Sequence, residues 1–197
     1  MKKLCFVIAL ILISTVGFSQ KKKAVKKTAA KSSLIVLAKA GNLSAEFDKN
    51  KFYLFTDASR KDTITLKKFE TPTVPTECKI TPFTAKGVPL YCITWTEKNV
   101  PDTKLKNEEA TTIFNAIWEV STKTQILLNN QTTTKITEIV FLDKNKTVSE
   151  TQEKLRKEGF EFTLTKEGDI ILKNKSQENK MTYSVADKKY VNVAKKK

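Results

Sequence analysis

Apolar and polar residues alternate along much of the segment 33–70. Leu43, Ala45 and Phe47, for example, are separated by polar residues. A period of two residues is typical of a strand that buries one face and exposes the other. Turn-forming residues at 48–51 interrupt the alternation, so the segment predicts a β-meander in which successive strands pair antiparallel.

Two later segments carry the spacing of amphipathic helices instead. Between residues 107 and 121 the apolar positions recur every three or four residues, at Ala110, Ile113, Phe114, Ile117 and Trp118. Asn107 can cap this helix at its first turn. A second helix is predicted near 147–158, where Thr147 begins a capping box and Gly159 ends the helix.

Strand-like segments surround these helices through the rest of the chain. They recur after each predicted helix, at 125–129, 135–142 and between 160 and 193. About ten short strands and two helices predict an α+β fold built mainly on antiparallel sheet. We expect one domain at 33–194, and the alternative is a pair of lobes, 33–100 and 103–194.

The first nineteen residues have the pattern of a secretory signal peptide. Lys2 and Lys3 precede an apolar run of 13 residues, from Leu4 to Val16, against the ~7–15 typical of such leaders. A membrane span needs about 20 apolar residues, so an uncleaved anchor is the weaker alternative. We therefore expect an exported protein, periplasmic or secreted, without a transmembrane segment once residues 1–19 are removed.

Positive charge is concentrated near the two ends of the chain. The formal net charge is +15, and eight of the 36 Lys and Arg residues lie in 1–32, without a single acid. Residues 20–32 are predicted to be a disordered basic arm, with lysines at Lys21, Lys22, Lys23, Lys26, Lys27 and Lys31. Three more lysines form a tail at 195–197, which leaves 25 bases against 21 acids in 33–194. The predicted domain itself therefore has an ordinary charge balance.

A basic arm can attach a protein to anionic lipid headgroups or envelope polymers, at roughly 1 kcal/mol per lysine near the surface. Nucleic acid fits less well, because Arg60 and Arg156 are the only arginines and arginine is the usual reader of bases and phosphates. The expected partner is thus an envelope protein, an anionic polymer or a lipid surface.

Two cysteines follow the predicted leader, Cys78 and Cys92. If residues 84–86 form the loop of a hairpin, the two side chains lie opposite each other on one face of its strands. Two cysteines in an exported chain favour a disulfide between them. The alternative is a redox pair, although the sequence has no Cys-x-x-Cys motif.

Tyr91, Ile93 and Trp95 lie on the strand face opposite Cys92. If that face is open to solvent, the three side chains form a possible binding face. Large aromatic residues are more often buried, so a layer of core packing is the alternative and the favoured interpretation.

The sequence lacks histidine, which removes the commonest general base and transition-metal ligand. Glycine-rich phosphate loops, nucleophile elbows and calcium-loop motifs are also missing from the sequence. No catalytic residue, metal ion or cofactor is therefore predicted. An enzyme would have to use carboxylates, as in the paired carboxylates of glycosidases.

These patterns favour a non-enzymatic binding or scaffold domain that is exported and tethered by its basic arm. A histidine-free, hydrolase-like enzyme that uses carboxylates is one alternative. A polyanion binder that works through the arm alone is the other. The sequence leaves the ligand of the predicted domain unspecified.

Overall fold

The computed structural model describes residues 34–101, 103 and 105–193, and every regular element among these residues is a β-strand. Thirteen strands form three antiparallel sheets, and in each sheet neighbouring strands also follow one another in sequence. The predicted β-rich character is confirmed, whereas the predicted α+β class is wrong. The predicted signal peptide, basic arm and basic tail lie outside the described residues.

The first sheet is a four-stranded meander. Its strands are β1 (Ile35–Ala40), β2 (Leu43–Asp48), β3 (Lys51–Phe55) and β4 (Thr63–Lys68). Two-residue turns join β1 to β2 and β2 to β3. Alternate residues of β2 and β3 are buried on the inner face of the sheet, among them Phe47, Phe52 and Leu54. The alternation in the sequence thus predicted this meander correctly.

The central sheet has five strands and is the longest layer. Its strands are β5 (Thr76–Ala85), β6 (Val88–Asn99), β7 (Lys106–Glu119), β8 (Thr124–Phe141) and β9 (Ser149–Gly159). The third sheet is a short meander of β10 (Glu161–Leu164), β11 (Ile170–Lys173), β12 (Glu178–Ser184) and β13 (Lys189–Asn192).

The central sheet packs apolar side chains on both of its faces. Successive residues of a strand point to opposite faces, and on β6 this divides Ile93 and Trp95 from Leu90 and Cys92. Ile93 and Trp95 join the buried residues of the first sheet, whereas Leu90 and Cys92 join those of the third sheet. The small sheets therefore cover opposite faces of the central one.

The first predicted helix, 107–121, is instead strand β7. Phe114, Ala116 and Trp118 belong to the core with the first sheet, and Ile117 belongs to the core with the third sheet. A strand buried on both faces shows no alternation, and its apolar positions here also fit a helical period. The β-branched residues Thr111 and Thr112 agree with the strand.

The second predicted helix, 147–158, is wrong as well, because this segment forms β9 at the edge of the central sheet. Eleven residue pairs join β9 to β8. Almost every residue of β9 is exposed, so its charged sequence reflects solvent on both faces of the strand. Gly159 ends β9 at a φ of +83°. Glycine with a positive φ is also common at the end of a helix, which explains why the sequence suggested a helix end at this position.

The predicted disulfide is contradicted, since Cys78 and Cys92 are both free thiols in the described part of the chain. The β5–β6 hairpin turns at Lys86-Gly87, which pairs Cys92 with Thr81 rather than with Cys78. Cys78 packs with the core of the first sheet, and Cys92 lies in the core of the third sheet. The two sulfur atoms therefore lie on opposite faces of the central sheet.

We expect the two thiols to be detectable without a reducing agent. Burial raises the pKa of the Cys78 thiol to about 12 and that of the Cys92 thiol to about 11, so neither forms a reactive thiolate near neutral pH. In a chain of residues 20–197, Ellman's reagent should count two thiols in denaturant and react far more slowly with the native protein. A count of zero in denaturant would restore the disulfide.

Gly168 fixes how the third sheet meets the β5–β6 hairpin. A Cβ atom at Gly168 would lie 2.7 Å from the Thr84 carbonyl oxygen and 2.8 Å from the Ala85 Cα, and φ is +81°. Tyr190 donates its hydroxyl hydrogen bond to the Gly168 carbonyl at 2.8 Å. Glycine is thus required here both by φ and by the close approach of the hairpin backbone.

Gly168→Ala should lower the free energy of unfolding by about 3 kcal/mol, since it adds overpacking to the left-handed backbone penalty. Gly41→Ala is the matched control, because φ is +58° there and the added Cβ meets nothing within 4 Å. The control should cost about 1 kcal/mol. Urea unfolding curves measure both values, and equal losses would contradict the close packing at Gly168.

Candidate binding site around Glu46

The possible binding face predicted from the sequence lies inside the molecule. Ile93 is 0% exposed and Trp95 is 2% exposed, while Tyr91 packs partly buried against the same core. The Trp95 ring stacks on Phe114 with 4.9 Å between centroids, and its indole N–H donates to Glu97 at 2.7 Å. Tyr91, Ile93 and Trp95 are therefore part of the core rather than a binding face. The lysines of the predicted arm lie outside the described residues.

A different group of polar residues meets on the outer face of the first sheet. Glu46 lies in the middle of β2, opposite Val36 on β1 and Tyr53 on β3. Since Ala45 and Phe47 point into the core, Glu46 points away from it. It is nevertheless only 1% exposed, because the loop between β3 and β4 folds back over this part of the sheet.

The two carboxylate oxygens of Glu46 have very different surroundings. Oε1 accepts hydrogen bonds from the Ser44 hydroxyl at 2.8 Å and from Arg60 Nε and Nη2 at 3.2 and 3.0 Å. Oε2 is buried and has no hydrogen-bond partner among the described residues. An unmet buried acceptor costs about 1–3 kcal/mol, and more when it is charged, so Oε2 is an open position for a donor.

The β3–β4 loop holds Arg60 in place. Asp57 Oδ1 accepts the backbone N–H groups of the residues four and five positions on, at 3.1 and 3.4 Å. The hydrogen bond from the Ser59 hydroxyl, together with these N–H groups, holds the pKa of Asp57 below its usual value. Arg60 has a φ of 57°, and its guanidinium lies 5.8 Å from the centroid of the Phe55 ring.

The loop is also attached to the central sheet. Lys123, in the turn between β7 and β8, forms an ion pair with Asp62 at the end of the loop. Hydrogen bonding from Lys123 and Thr56 lowers the pKa of Asp62. The position of Arg60 therefore depends on contacts at both ends of the loop.

A cavity of about 190 Å³ opens beside Glu46. Its lining brings two cationic and two anionic side chains together with turn residues, namely Lys39, Gly41, Asn42, Leu43, Ser44, Glu46, Asp57, Ala58 and Arg60. Glu46 brings an acceptor without a donor, Oε2, to this lining, while Lys39 and Arg60 bring N–H donors for an anionic group. The site is therefore suited to a small molecule that carries both kinds of group.

Sequence reasoning missed this site because β2 alternates like an ordinary half-buried strand. The alternation predicts that Glu46, between Ala45 and Phe47, faces solvent. Its partner Arg60 is 14 positions away in the sequence. One signal was present in the composition. Arg60 is one of only two arginines among 36 basic residues, and arginine is the preferred cation for a buried carboxylate.

Other kinds of site have less support from the described part of the chain. No cluster of three metal-ligating side chains occurs among the described residues. The described residues also contain no helix long and apolar enough to cross a membrane. Comparisons with protein-family models, with curated proteins and with solved structures give no match to this chain, so the candidate site rests on its geometry.

The Arg60–Glu46 ion pair should respond unequally to removal of its two partners. Arg60→Gln leaves a buried carboxylate uncompensated and should cost about 2–3 kcal/mol. Glu46→Gln leaves a guanidinium whose side chain is already 47% exposed and should cost about 1 kcal/mol. Urea unfolding of both variants and of the double variant measures this difference.

The double variant should be more stable than Arg60→Gln alone, because it no longer contains the buried unpaired charge. Additive losses in the double variant would show that the two side chains act independently and would contradict the ion pair.

Proposed function

We propose that this chain is an exported, non-enzymatic binding module whose folded part holds a small zwitterionic ligand in the Glu46 cavity. The observation that carries the proposal is the buried Oε2 atom of Glu46, which lacks a donor among the described residues, in a side chain that belongs to the lining of the cavity. Export rests on the leader pattern of the sequence, and tethering by the basic arm remains part of the proposal.

The zwitterionic class follows from the charges around the cavity. Glu46 Oε2 favours an ammonium or amide donor, and Lys39 and Arg60 favour a carboxylate or similar acceptor. Two cations and two carboxylates in the lining balance one another, so a neutral ligand with separated charges matches the site better than a net ion. The cavity volume suits a ligand as small as an amino acid.

Binding fits the two carboxylates of the cavity better than acid–base catalysis. Glu46 Oε1 is held by Ser44 and Arg60, and Asp57 is held by its own loop through the Ser59 hydroxyl and backbone N–H groups. Hydrogen bonding keeps the pKa of Asp57 low, whereas a general acid near neutral pH needs a raised pKa. Both side chains are therefore arranged to hold a loop and a ligand in place.

Glycine and L-serine are suitable probes, and backbone amide shifts of Gly41 and Ser44 in NMR titrations report the binding. Glycinamide lacks the carboxylate and N-acetylglycine lacks the ammonium, so both should shift these amides far less than glycine. Glu46→Gln should weaken glycine binding about tenfold, since the charged acceptor for the ammonium is lost.

Lys61→Gln is the matched control, because the Lys61 side chain is exposed on the same loop and does not line the cavity. It should leave the titration unchanged. Equal shifts with all four compounds would contradict the zwitterionic class. If none of the compounds gives a saturable shift, water is the only donor left for Oε2 and the proposed site is overturned.

A further inference from the structure

The far end of the β8–β9 hairpin extends beyond the two cores. Within the described part of the chain, no residue between 128 and 161 belongs to either hydrophobic core cluster. We call Ile139–Val148, together with Leu105 beside it, the hairpin tip. The Ile139 N–H donates to the Leu105 carbonyl at 2.9 Å, and the Leu142 N–H donates to the Val148 carbonyl at 2.9 Å.

Large apolar side chains are exposed on both faces of the hairpin tip. Leu142 is 60% exposed and Val148 is 54% exposed, and their cross-strand pairing places them on the same face. Ile139 and Leu105, 41% and 50% exposed, lie on the opposite face because Ile139 is an odd number of residues from Leu142. An exposed apolar group of this kind indicates an interaction surface.

The loop at the hairpin tip is held in one conformation by Asp143. Its Oδ1 accepts the backbone N–H groups of Thr147 and Val148, both at 2.8 Å, and Oδ2 accepts the Thr147 hydroxyl at 2.7 Å. These hydrogen bonds lower the pKa of Asp143. The N–H groups of Thr147 and Val148 are therefore satisfied within the protein, which lowers the cost of moving this part of the loop into a less polar environment.

Positive charge lies beside the apolar residues. Lys144 and Lys146 are both exposed in the loop, and the Lys146 ammonium lies 5.7 Å from the centroid of the Phe141 ring. Lysines next to an exposed apolar group are typical of a segment that enters the headgroup region of an anionic bilayer. A groove on a protein partner would cover one face of the hairpin, whereas lipid can surround both.

We propose that the hairpin tip docks on anionic lipid, with Leu142 and Val148 entering the headgroup boundary and Lys144 and Lys146 binding anionic headgroups. This contact is separate from the Glu46 cavity and from the predicted basic arm. It gives the folded part of the chain its own attachment to a membrane surface.

Vesicle flotation tests this proposal with residues 20–197, in which the six lysines of the predicted arm are replaced by glutamine. This protein should float with vesicles of phosphatidylcholine mixed with phosphatidylglycerol and should not float with phosphatidylcholine alone. L142S/V148S should reduce the partition coefficient about tenfold, through lost apolar burial. K144Q/K146Q should reduce it about thirtyfold, because two lysines contribute roughly 1 kcal/mol each and about 1.4 kcal/mol corresponds to a factor of ten.

Leu128→Ser is the matched control, because Leu128 is 54% exposed on the same strand β8 but lies outside the hairpin tip. It should float like the parent protein, and urea midpoints should confirm that all the variants are folded. Equal flotation of parent, L142S/V148S and Leu128→Ser overturns the proposal. The proposal is also overturned if the parent protein does not float and light scattering shows a dimer that L142S/V148S abolishes. The hairpin tip would then bind a second copy of the chain.

Discussion

Burial of β6 on both faces is the constraint on which the rest of this fold depends. Ile93 and Trp95 need a cover on one side, and Leu90 and Cys92 need a cover on the other. Water is excluded from both faces only if two further layers form, and the meanders before and after the central sheet supply them. The inner face of each small sheet packs into one of the two cores. Glu46 therefore lies on the outer face of the first sheet.

The sequence was sufficient where a strand has one face in solvent. The alternation of β2 and the turn residues that follow it predicted the first meander, because burial there repeats every second residue. It failed for β7, whose apolar residues serve two cores, and for β9, which has solvent on both faces. Neither strand alternates, so cross-strand pairing identifies them as strands: β7 pairs with β6 and β8, and β9 pairs with β8.

The error at the cysteines has a related cause. Placing the loop of the β5–β6 hairpin at 84–86 rather than at Lys86-Gly87 changes the register by an odd number of residues, which moves one partner to the other face. The Glu46 site could not be read from local pattern, since its burial depends on a loop that folds back from β4. The sequence did contain one signal, because Arg60 is one of only two arginines. Its partner, Glu46, is identified only by the fold.

The exposed edge of β9 has a consequence for how copies of this chain meet at high concentration. In β9 the backbone N–H groups that point toward the free edge occur at every second residue. Two β9 strands can therefore form an unbroken antiparallel ladder only if the residue at its centre pairs with the same residue of the other copy. Centring on Glu153 opposes two carboxylates, and centring on Lys154 opposes two ammonium groups and sets Glu150 against Glu158. Centring on the next residue sets Lys154 against Arg156. Opposite charges also meet when the ladder is centred on Glu153, which pairs Glu150 with Arg156, or on Leu155, which pairs Glu153 with Lys157. The register centred on Lys154, which is the most extensive, contains like-charge pairs alone, so charge disfavours the longest ladder that two β9 edges could form.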